Sequence, residues 1–176
     1  MRERLKALSP AEREAQSAGA CEKLCGLGEF QEAGLVLAYR AMAHECDPAL
    51  AVEAARAQGK TVAFPLCGPG YSLRLLAPVK PDAFQRGRYG IWEPIVEKCR
   101  EVSPAALDFI ILPGLAFDRF CNRLGQGAGY YDRLLPNTKA FVAGLGMEAQ
   151  LVPRVPTGPL DVPLHAVAVP GGLWRR

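Results

Sequence analysis

The residues that could do chemistry are concentrated in one stretch, from Phe109 to Leu135. An apolar run that ends at Pro113 is typical of a buried strand, and YYDRLL at 130–135 begins a predicted helix. Between them, RLGQGAG supplies three alternating glycines. Glycine adopts positive φ easily and lets backbone N–H groups approach an anion, and a helix N-terminus adds positive charge. This order of elements predicts a phosphate site with Arg123 and Asp132 beside it.

The glycine spacing by itself leaves two interpretations open. GQGAG is neither the dinucleotide fingerprint G-x-G-x-x-G nor the phosphate loop G-x-x-x-x-G-K-[ST]. Three glycines between a strand and a helix also suit a tight connection that binds nothing.

A series of short strands and helices must position this loop. Apolar runs predict strands at 35–39, 61–64, 109–112, 140–145 and 165–169, and helical patterns predict helices at 10–25, 48–59 and 130–135. A strand, a helix and a strand within residues 35–64 require a parallel pair with a right-handed crossover. We therefore predict an α/β fold over residues 1–176, a single-domain three-layer sandwich with a mostly parallel, doubly wound sheet. The tail GGLWRR suits docking on this domain or on a second copy.

The first long helix has a clear beginning. Ser9 and Glu12 have the spacing of a capping box, with Pro10 at the first helical position. We expect the helix to end near Cys25 and to bury a stripe of small residues, namely Ala11, Ala15, Ala18, Cys21 and Cys25.

The composition suits a folded protein that handles a small anionic molecule. A chain of 176 residues buries a sizeable core without disulfides, and no run of Lys or Arg gathers its net charge of +3 into a nucleic-acid surface. No apolar run approaches the roughly 18 residues of a membrane span, and the N-terminal stretch MRERLKALSPAERE is charged, without the apolar region of a signal peptide, so a cytoplasmic location is expected. The six cysteines lack C-x-x-C spacing and are expected to be structural thiols.

Two further segments are expected beside the glycine loop. Ligands of open α/β sheets bind beyond the carboxyl ends of the strands, which selects residues 39–45 after the first strand and 161–165 before the last. Glu45 suits either a ligand contact or a solvated position ahead of a helix N-terminus, where negative charge is favoured. We interpret His44 as a loop residue without a metal role.

The whole string is more specific than its glycines. LPGLAFD at 112–118, followed by RLGQGAGYYDR at 123–133, closely resembles the signature of the 5-formyltetrahydrofolate cyclo-ligase family, also called methenyltetrahydrofolate synthetases. The resemblance extends to GKTVAFP at 59–65, YGIWEP at 89–94, the region 145–150 and DVPL at 161–164. It implies ATP- and magnesium-dependent conversion of 5-formyltetrahydrofolate to 5,10-methenyltetrahydrofolate, with release of ADP and phosphate, through a phosphorylated formyl group (an iminium phosphate).

The resemblance also implies roles for particular residues. The positions that match the ATP-binding loop are Arg123, Leu124, Gly125, Gln126, Gly127, Ala128, Gly129, Tyr130 and Tyr131. Those that match the folate contacts are Arg40, Glu45, Gln126, Gly127, Ala128, Gly129 and Tyr130. Arg123 and Tyr130 match catalytic positions, although a tyrosine at a helix start also suits a core position. Asp132 matches the magnesium ligand, with Asp161 as its candidate helper. The implied partners are 5-formyltetrahydrofolate and ATP, with Mg²⁺ as cofactor and no nucleic-acid or membrane partner, for a monomer.

Three departures from the family pattern keep an alternative open. Members commonly carry a lysine and an arginine on an N-terminal helix that contacts ATP, and the candidates to replace that pair are Arg2, Arg4 and Lys6. Leu160 stands where a histidine is usual, and His165 where a second acid is often found. Asn122 replaces a usual glycine, which suits a left-handed turn. The alternatives are an altered member that binds nucleotide or folate without cyclisation and, without the resemblance, a sugar-phosphate-binding or CoA-binding α/β protein.

Overall fold

The computed structural model describes residues 1–80, 82–87, 90–158 and 161–176. Its helices are α1 Arg2–Ala7, α2 Pro10–Cys25, α3 Gly28–Glu32, α4 Ala49–Ala57 and α5 Tyr130–Leu134. Its strands are β1 Leu35–Leu37, β2 Thr61–Cys67, β3 Leu73–Pro78, β4 Phe84–Arg86, β5 Trp92–Pro94, β6 Cys99–Glu101, β7 Phe109–Leu112, β8 Ala116–Phe117, β9 Arg123–Leu124, β10 Phe141–Leu145, β11 Ala166–Val169 and β12 Gly172–Arg175. Short 3₁₀ turns lie at Pro69–Tyr71, Val96–Lys98, Pro104–Ala106, Leu135–Asn137 and Glu148–Gln150.

One eight-stranded sheet carries the fold, in the order β12-β11-β10-β7-β1-β2-β3-β6. The neighbours from β11 to β2 are parallel, while β12, β3 and β6 are antiparallel at the two edges. The predicted mostly parallel α/β fold is confirmed. The tail GGLWRR docks on its own chain, because it contributes β12 against β11.

Two apolar layers cover the sheet. Helices α1 to α4 lie on one face, where Leu24 and Phe30 belong to one buried cluster with Phe109 and Ile111 of β7. The opposite face is covered by α5 and by loops, whose buried residues cluster with Ile110 and Leu112. Because successive strand residues point to opposite faces, β7 is buried on both sides and forms the middle of a three-layer structure.

Helix α2 has the predicted bounds and cap but a different buried face. The Ser9 Oγ accepts a hydrogen bond from the Glu12 N–H at 3.2 Å, and Glu12 Oε2 accepts one from the Ser9 N–H at 2.7 Å. The predicted stripe is wrong, because Ala11 and Ala15 are exposed. Burying Leu24 removes more apolar surface from water than burying an alanine, so the helix is turned to bury Ser17, Ala20, Cys21 and Leu24.

Three glycines make room for the Phe117 side chain, in the segment that leads to the glycine loop. The Phe117 ring is fully buried. A Cβ built at Gly144, Gly114 or Gly146 would come within 2.5, 2.6 or 3.0 Å of this ring. Only glycine therefore allows the backbone to approach so closely on these sides, which anchors β8 against the sheet.

The order of the strands reverses beside β1. From β1 the chain moves outward through β2, β3 and β6, then returns to β7 on the other side of β1 and continues to β10 and β11. Open α/β sheets bind their ligands at such a reversal, beyond the carboxyl ends of the strands. The segments that leave β1 and β7 should therefore form two walls of one crevice.

None of the helices within the described ranges is both long and apolar enough to cross a membrane. All six cysteines are free.

Candidate functional site

A cavity of about 510 Å³ opens at the strand reversal. It is bounded by the segment after β1, the end of β2, the segment around β5, the Pro113 turn after β7, and the glycine loop with the start of α5. The lining residues are Tyr39, Arg40, Met42, Glu45, Phe64, Pro65, Cys67, Tyr71, Leu73, Ile91, Trp92, Glu93, Pro113, Gly114, Arg123, Gly125, Gln126, Gly127, Ala128, Gly129, Tyr130, Tyr131 and Asp132. The expected loop and the expected first-strand segment are therefore brought together.

The glycine loop needs glycine for two different reasons. Gly127 and Gly129 have φ of +93° and +66°, in the region where L side chains are strained. Gly125 does not have positive φ. Its requirement is space, because a Cβ there would lie 2.8 Å from the Arg123 Nη1. The following helix, α5, has only 5 residues, so the expected dipole contribution is small and the loop's own N–H groups are the donors to consider.

The two charged groups of the loop form an ion pair. Arg123 Nη2 donates to Asp132 Oδ1 at 3.0 Å, and the arginine side chain is only 7% exposed. The guanidinium lies 5.7 Å from the Tyr131 ring centroid, below the loop. Asp132 remains 32% exposed and lines the cavity. The buried Arg123 guanidinium therefore orients the Asp132 carboxylate and neutralises part of its negative charge.

Glu45 is joined to the glycine loop. Its Oε2 accepts a hydrogen bond from the Met42 N–H at 2.9 Å, which closes the segment into a turn. Burial raises the pKa of the Glu45 carboxyl, and hydrogen bonds from Met42 N–H and the Gln126 side chain offset this only in part. Arg2 Nη2 in turn donates to Gln126 Oε1 at 3.2 Å. Of the N-terminal basic residues considered from sequence, Arg2 is the one that reaches the loop.

Tyr130 lies at the meeting point of the loop and the cavity wall. It is half-buried, and its ring centroid is 5.8 Å from that of Tyr71. Its side chain also interacts with the thiol of Cys67 at the end of β2. The structure therefore favours the cavity position for Tyr130 over the core position.

Several predicted residues are placed elsewhere. Leu124 pairs with Ala116 in the short β8–β9 ladder, is 41% exposed and does not line the cavity. Asp161 does not line it either, because its Oδ2 accepts from the Gly158 N–H at 2.6 Å and closes its own loop. His165 turns to the sheet, where its Nδ1 accepts from the Val142 N–H at 2.9 Å. Leu160 and part of YGIWEP lie outside the described residues.

The predicted metal ligand Asp132 has no cluster of further metal-binding side chains around it within the described residues. Within residues 1–80, 82–87, 90–158 and 161–176, no group of three or more His, Cys, Asp or Glu side chains is arranged to hold a metal ion. Mg²⁺ commonly uses one or two protein carboxylates and completes its shell with substrate phosphates and water. Asp132, exposed to the cavity beside the glycine loop, fits this mode.

The turn before the loop is organised by a buried acid that sequence analysis missed. Asp118 is fully buried, and its carboxylate accepts from the N–H groups of Phe120, Asn122 and Val155 and from the Asn122 side-chain amide, at 2.9 to 3.0 Å. The prediction of a left-handed Asn122 is wrong: positive φ falls on Cys121, at +62°. The backbone N–H and the side-chain amide of Asn122 both donate to Asp118, and the residue with positive φ lies one position earlier.

The remaining walls were also missed. Phe64, Pro65 and Cys67 belong to β2, whose carboxyl end lies beside that of β1 because the two strands are parallel. Applying the strand-end rule to β2 would have found them. Trp92 and Glu93 come from the β4–β5 pair, and the only signal for them in the sequence was the resemblance at 89–94, which did not indicate a cavity wall.

Fold and site together define an open α/β protein with a ligand cavity at the reversal of its sheet, built around a glycine loop. The sequence model of the 5-formyltetrahydrofolate cyclo-ligase family matches residues 1–170. The chain belongs to this family.

Individual relatives agree over nearly the full length. The 5-formyltetrahydrofolate cyclo-ligase of Escherichia coli K12 is 30% identical over 181 residues, which cover 99% of each chain. The solution structure of Aquifex aeolicus 5,10-methenyltetrahydrofolate synthetase superposes with a TM-score of 0.85 at 30% identity, covering 98% of this chain and 87% of that one. The Mycoplasma pneumoniae 5,10-methenyltetrahydrofolate synthetase, at 19% identity, a TM-score of 0.76 and coverage of 96% and 93%, shares the fold.

Proposed function

We propose that the protein is a 5-formyltetrahydrofolate cyclo-ligase, which uses ATP and Mg²⁺ to convert 5-formyltetrahydrofolate to 5,10-methenyltetrahydrofolate with release of ADP and phosphate. The observation that carries the proposal is the cavity itself, in which the glycine loop and Glu45 share one space and interact through Gln126. The loop proposed to bind phosphate and the acid proposed to contact folate line the same cavity, so ATP and folate would bind next to each other. We propose further that residues 1–176 act as one domain, since a single sheet positions both.

The chemistry explains why a phosphate donor is needed. The formyl group on folate N5 is a poor electrophile, because the nitrogen lone pair is delocalised into the carbonyl and the oxygen is a poor leaving group. Transfer of the γ-phosphoryl group to that oxygen forms an iminium phosphate. N10 of the folate then attacks the formyl carbon and loses its proton to solvent or phosphate, and the C–O bond breaks to release phosphate and leave the methenyl bridge. The protein must therefore hold the formyl oxygen in line with the γ-phosphate and offset charge on the phosphates.

The glycine loop supplies the phosphate side of this arrangement. Gly127 and Gly129 turn the backbone through positive φ, which allows neighbouring N–H groups to converge on one anion. Arg123 adds positive charge from beneath the loop while it orients Asp132. Asp132 would hold the magnesium ion, which when bound supplies charge neutralisation between the phosphates. Arg2, which reaches Gln126, would stabilise the outer side of the loop.

The wall opposite the loop supplies the folate side. The carboxylate of Glu45, which accepts from the Met42 N–H, would accept hydrogen bonds from the folate near its reacting end. Tyr130, which also lines the cavity, would contact either the formyl group or a phosphate through its hydroxyl. The apolar walls at Phe64 and Trp92 would exclude water from the activated formyl group, which water would otherwise hydrolyse.

The test is a spectrophotometric one. The purified protein is mixed with 5-formyltetrahydrofolate, ATP and Mg²⁺, and absorbance is followed in the methenyl-folate band while each component is omitted in turn. A rise that requires all three supports the cyclo-ligase. Binding of ATP or folate without any rise would refute it and favour an altered member of the family. Failure to bind any reduced folate would point to another phosphate-bearing ligand.

A further inference from the structure

Arg40 is a cavity residue whose side chain the protein itself does not satisfy. Its guanidinium carbon lies 4.2 Å from the Phe84 ring centroid and 4.9 Å from the Phe64 ring centroid. Its Nε is buried and, among the described residues, has no hydrogen-bond partner. The two aromatic rings therefore restrict the position of the guanidinium, while a buried donor remains unused.

A second arginine lies beside the first. Arg56 of α4 is placed over the same Phe64 ring, 5.9 Å from its centroid and just outside the cavity lining. Burial lowers the pKa of Arg40, the charge of Arg56 lowers it further, and Asp47 acts in the opposite direction. Within the described ranges, neither guanidinium has a carboxylate within 4.0 Å, the limit for an ion pair.

The other arginine of the cavity differs in this respect. Arg123 is neutralised by Asp132 and lies under the glycine loop, where the phosphates are expected. Arg40 and Arg56 instead lie against Phe64 of β2, and within the described ranges neither forms an ion pair of this kind. The cavity therefore contains a second region that favours an anion.

We propose that Arg40, supported by Arg56, is the subsite for the carboxylates of the folate's glutamyl tail, an inference that rests on the proposed function. 5-Formyltetrahydrofolate carries its carboxylates at the end remote from the formyl group, and the proposed phosphate site at the glycine loop already uses the other arginine of the lining, Arg123. A planar guanidinium packed against two aromatic rings has restricted freedom and suits bidentate contact with a carboxylate. Arg56, which is exposed, extends the subsite toward a second glutamyl residue.

The experiment compares folates that differ only in the tail. Equilibrium binding by calorimetry and steady-state KM are measured for 5-formyltetrahydrofolate, its triglutamate and the primary amide of 5-formyltetrahydropteroate, which has neither the glutamate nor any other carboxylate. We expect Arg40→Gln to lower the preference for the tailed over the tailless compound about tenfold, the effect of losing a charge-assisted hydrogen bond. Arg40→Lys, which keeps the charge but not the planar fork, should restore part of it. Arg56→Gln should act mainly on the triglutamate.

The matched control is Arg154→Gln, which also removes an arginine stacked on a phenylalanine, 4.7 Å from the Phe120 centroid, but outside the cavity. It should leave the tail preference unchanged, and urea unfolding of each variant separates lost folding from lost recognition. The inference is overturned if Arg40→Gln weakens tailed and tailless folates equally, or if its main effect is a higher KM for ATP, which would assign Arg40 to a phosphate. The calorimetric arm needs no turnover, so a protein that binds folates with a tail preference but forms no methenyl product would refute the proposed function alone.

Discussion

Replacing Asp118 by asparagine tests whether the turn before the glycine loop depends on a charged acceptor. The carboxylate accepts four hydrogen bonds, two on each oxygen. An asparagine keeps the shape but has one accepting oxygen, so two donors would face its NH₂ group. Two charge-assisted hydrogen bonds are worth about 1.5–3 kcal/mol each, so Asp118→Asn should lower the free energy of unfolding by about 3–6 kcal/mol at pH 7.

The effect should depend on pH in a defined direction. Burial acts to raise the pKa of the Asp118 carboxyl, but the hydrogen bonds from Asn122, Val155 and Phe120 outweigh it and hold the pKa below its ordinary value. An acid with a lowered folded-state pKa stabilises the protein fully above its unfolded pKa, about 3.9, and this contribution is lost as the pH falls through the folded value. The difference between wild type and Asp118→Asn should therefore be constant near neutral pH and shrink below about pH 4.

The assay is urea unfolding followed by circular dichroism at several pH values. Asp47→Asn is the matched control, because Asp47 is exposed and accepts one hydrogen bond, from the Ala49 N–H, which asparagine at a helix start accepts equally well. The control should stay within about 0.5 kcal/mol of wild type. A loss below about 1 kcal/mol for Asp118→Asn, or a loss as large at pH 3 as at pH 7, would refute the reasoning.

Three further substitutions probe the cavity. Asp132→Asn should leave the circular dichroism spectrum unchanged but reduce methenyl-folate formation by more than roughly 10- to 100-fold, which is the cost of losing a residue that only supports a metal ligand. Full activity in Mg²⁺ would show that Asp132 does not hold the metal. Glu45→Gln should raise the KM for folate more than that for ATP. Since the raised pKa of Glu45 means that its ionised form opposes folding at neutral pH, the variant should also be no less stable to urea, and a lower midpoint would contradict this account. Gly127→Ala should lower the free energy of unfolding by about 1–2 kcal/mol and weaken ATP binding. Backbone strain alone would be the cause, because a Cβ at Gly127 meets nothing within 4 Å. Gly28 is equally open but lacks positive φ, so Gly28→Ala should change neither property.

Local signals in the sequence were sufficient for the elements nearest the site. The capping box and Pro10 located the start of α2, and the apolar run located β7 at both ends. The placement of the glycine loop, Glu45 and Asp132 at one cavity was predictable, because a strand end and a glycine-rich turn are short-range patterns. In each case the deciding interactions lie within a few residues of chain.

What could not be predicted depends on partners that are distant in sequence. Asp118 is organised in part by Val155, and nothing near Asp118 indicates that partner. The buried face of α2 was misplaced because the choice between Ala15 and Leu24 is made by the sheet beneath the helix. Asp161 was expected to help hold the metal. Its carboxylate instead accepts a hydrogen bond from the Gly158 N–H, and it does not line the cavity.

The position of the cavity at the strand reversal couples ligand binding to folding. Its walls come from β1, β2 and the segment after β7, which are joined only when the central sheet is complete. A partly folded chain cannot bind, so occupancy should stabilise the native state by about 2.7 kcal/mol at a ligand concentration of 100 times Kd. Because these contacts join distant parts of the chain, the cavity should also form late and slowly during folding. Ligand present during refolding should therefore slow unfolding of the finished protein without accelerating its formation.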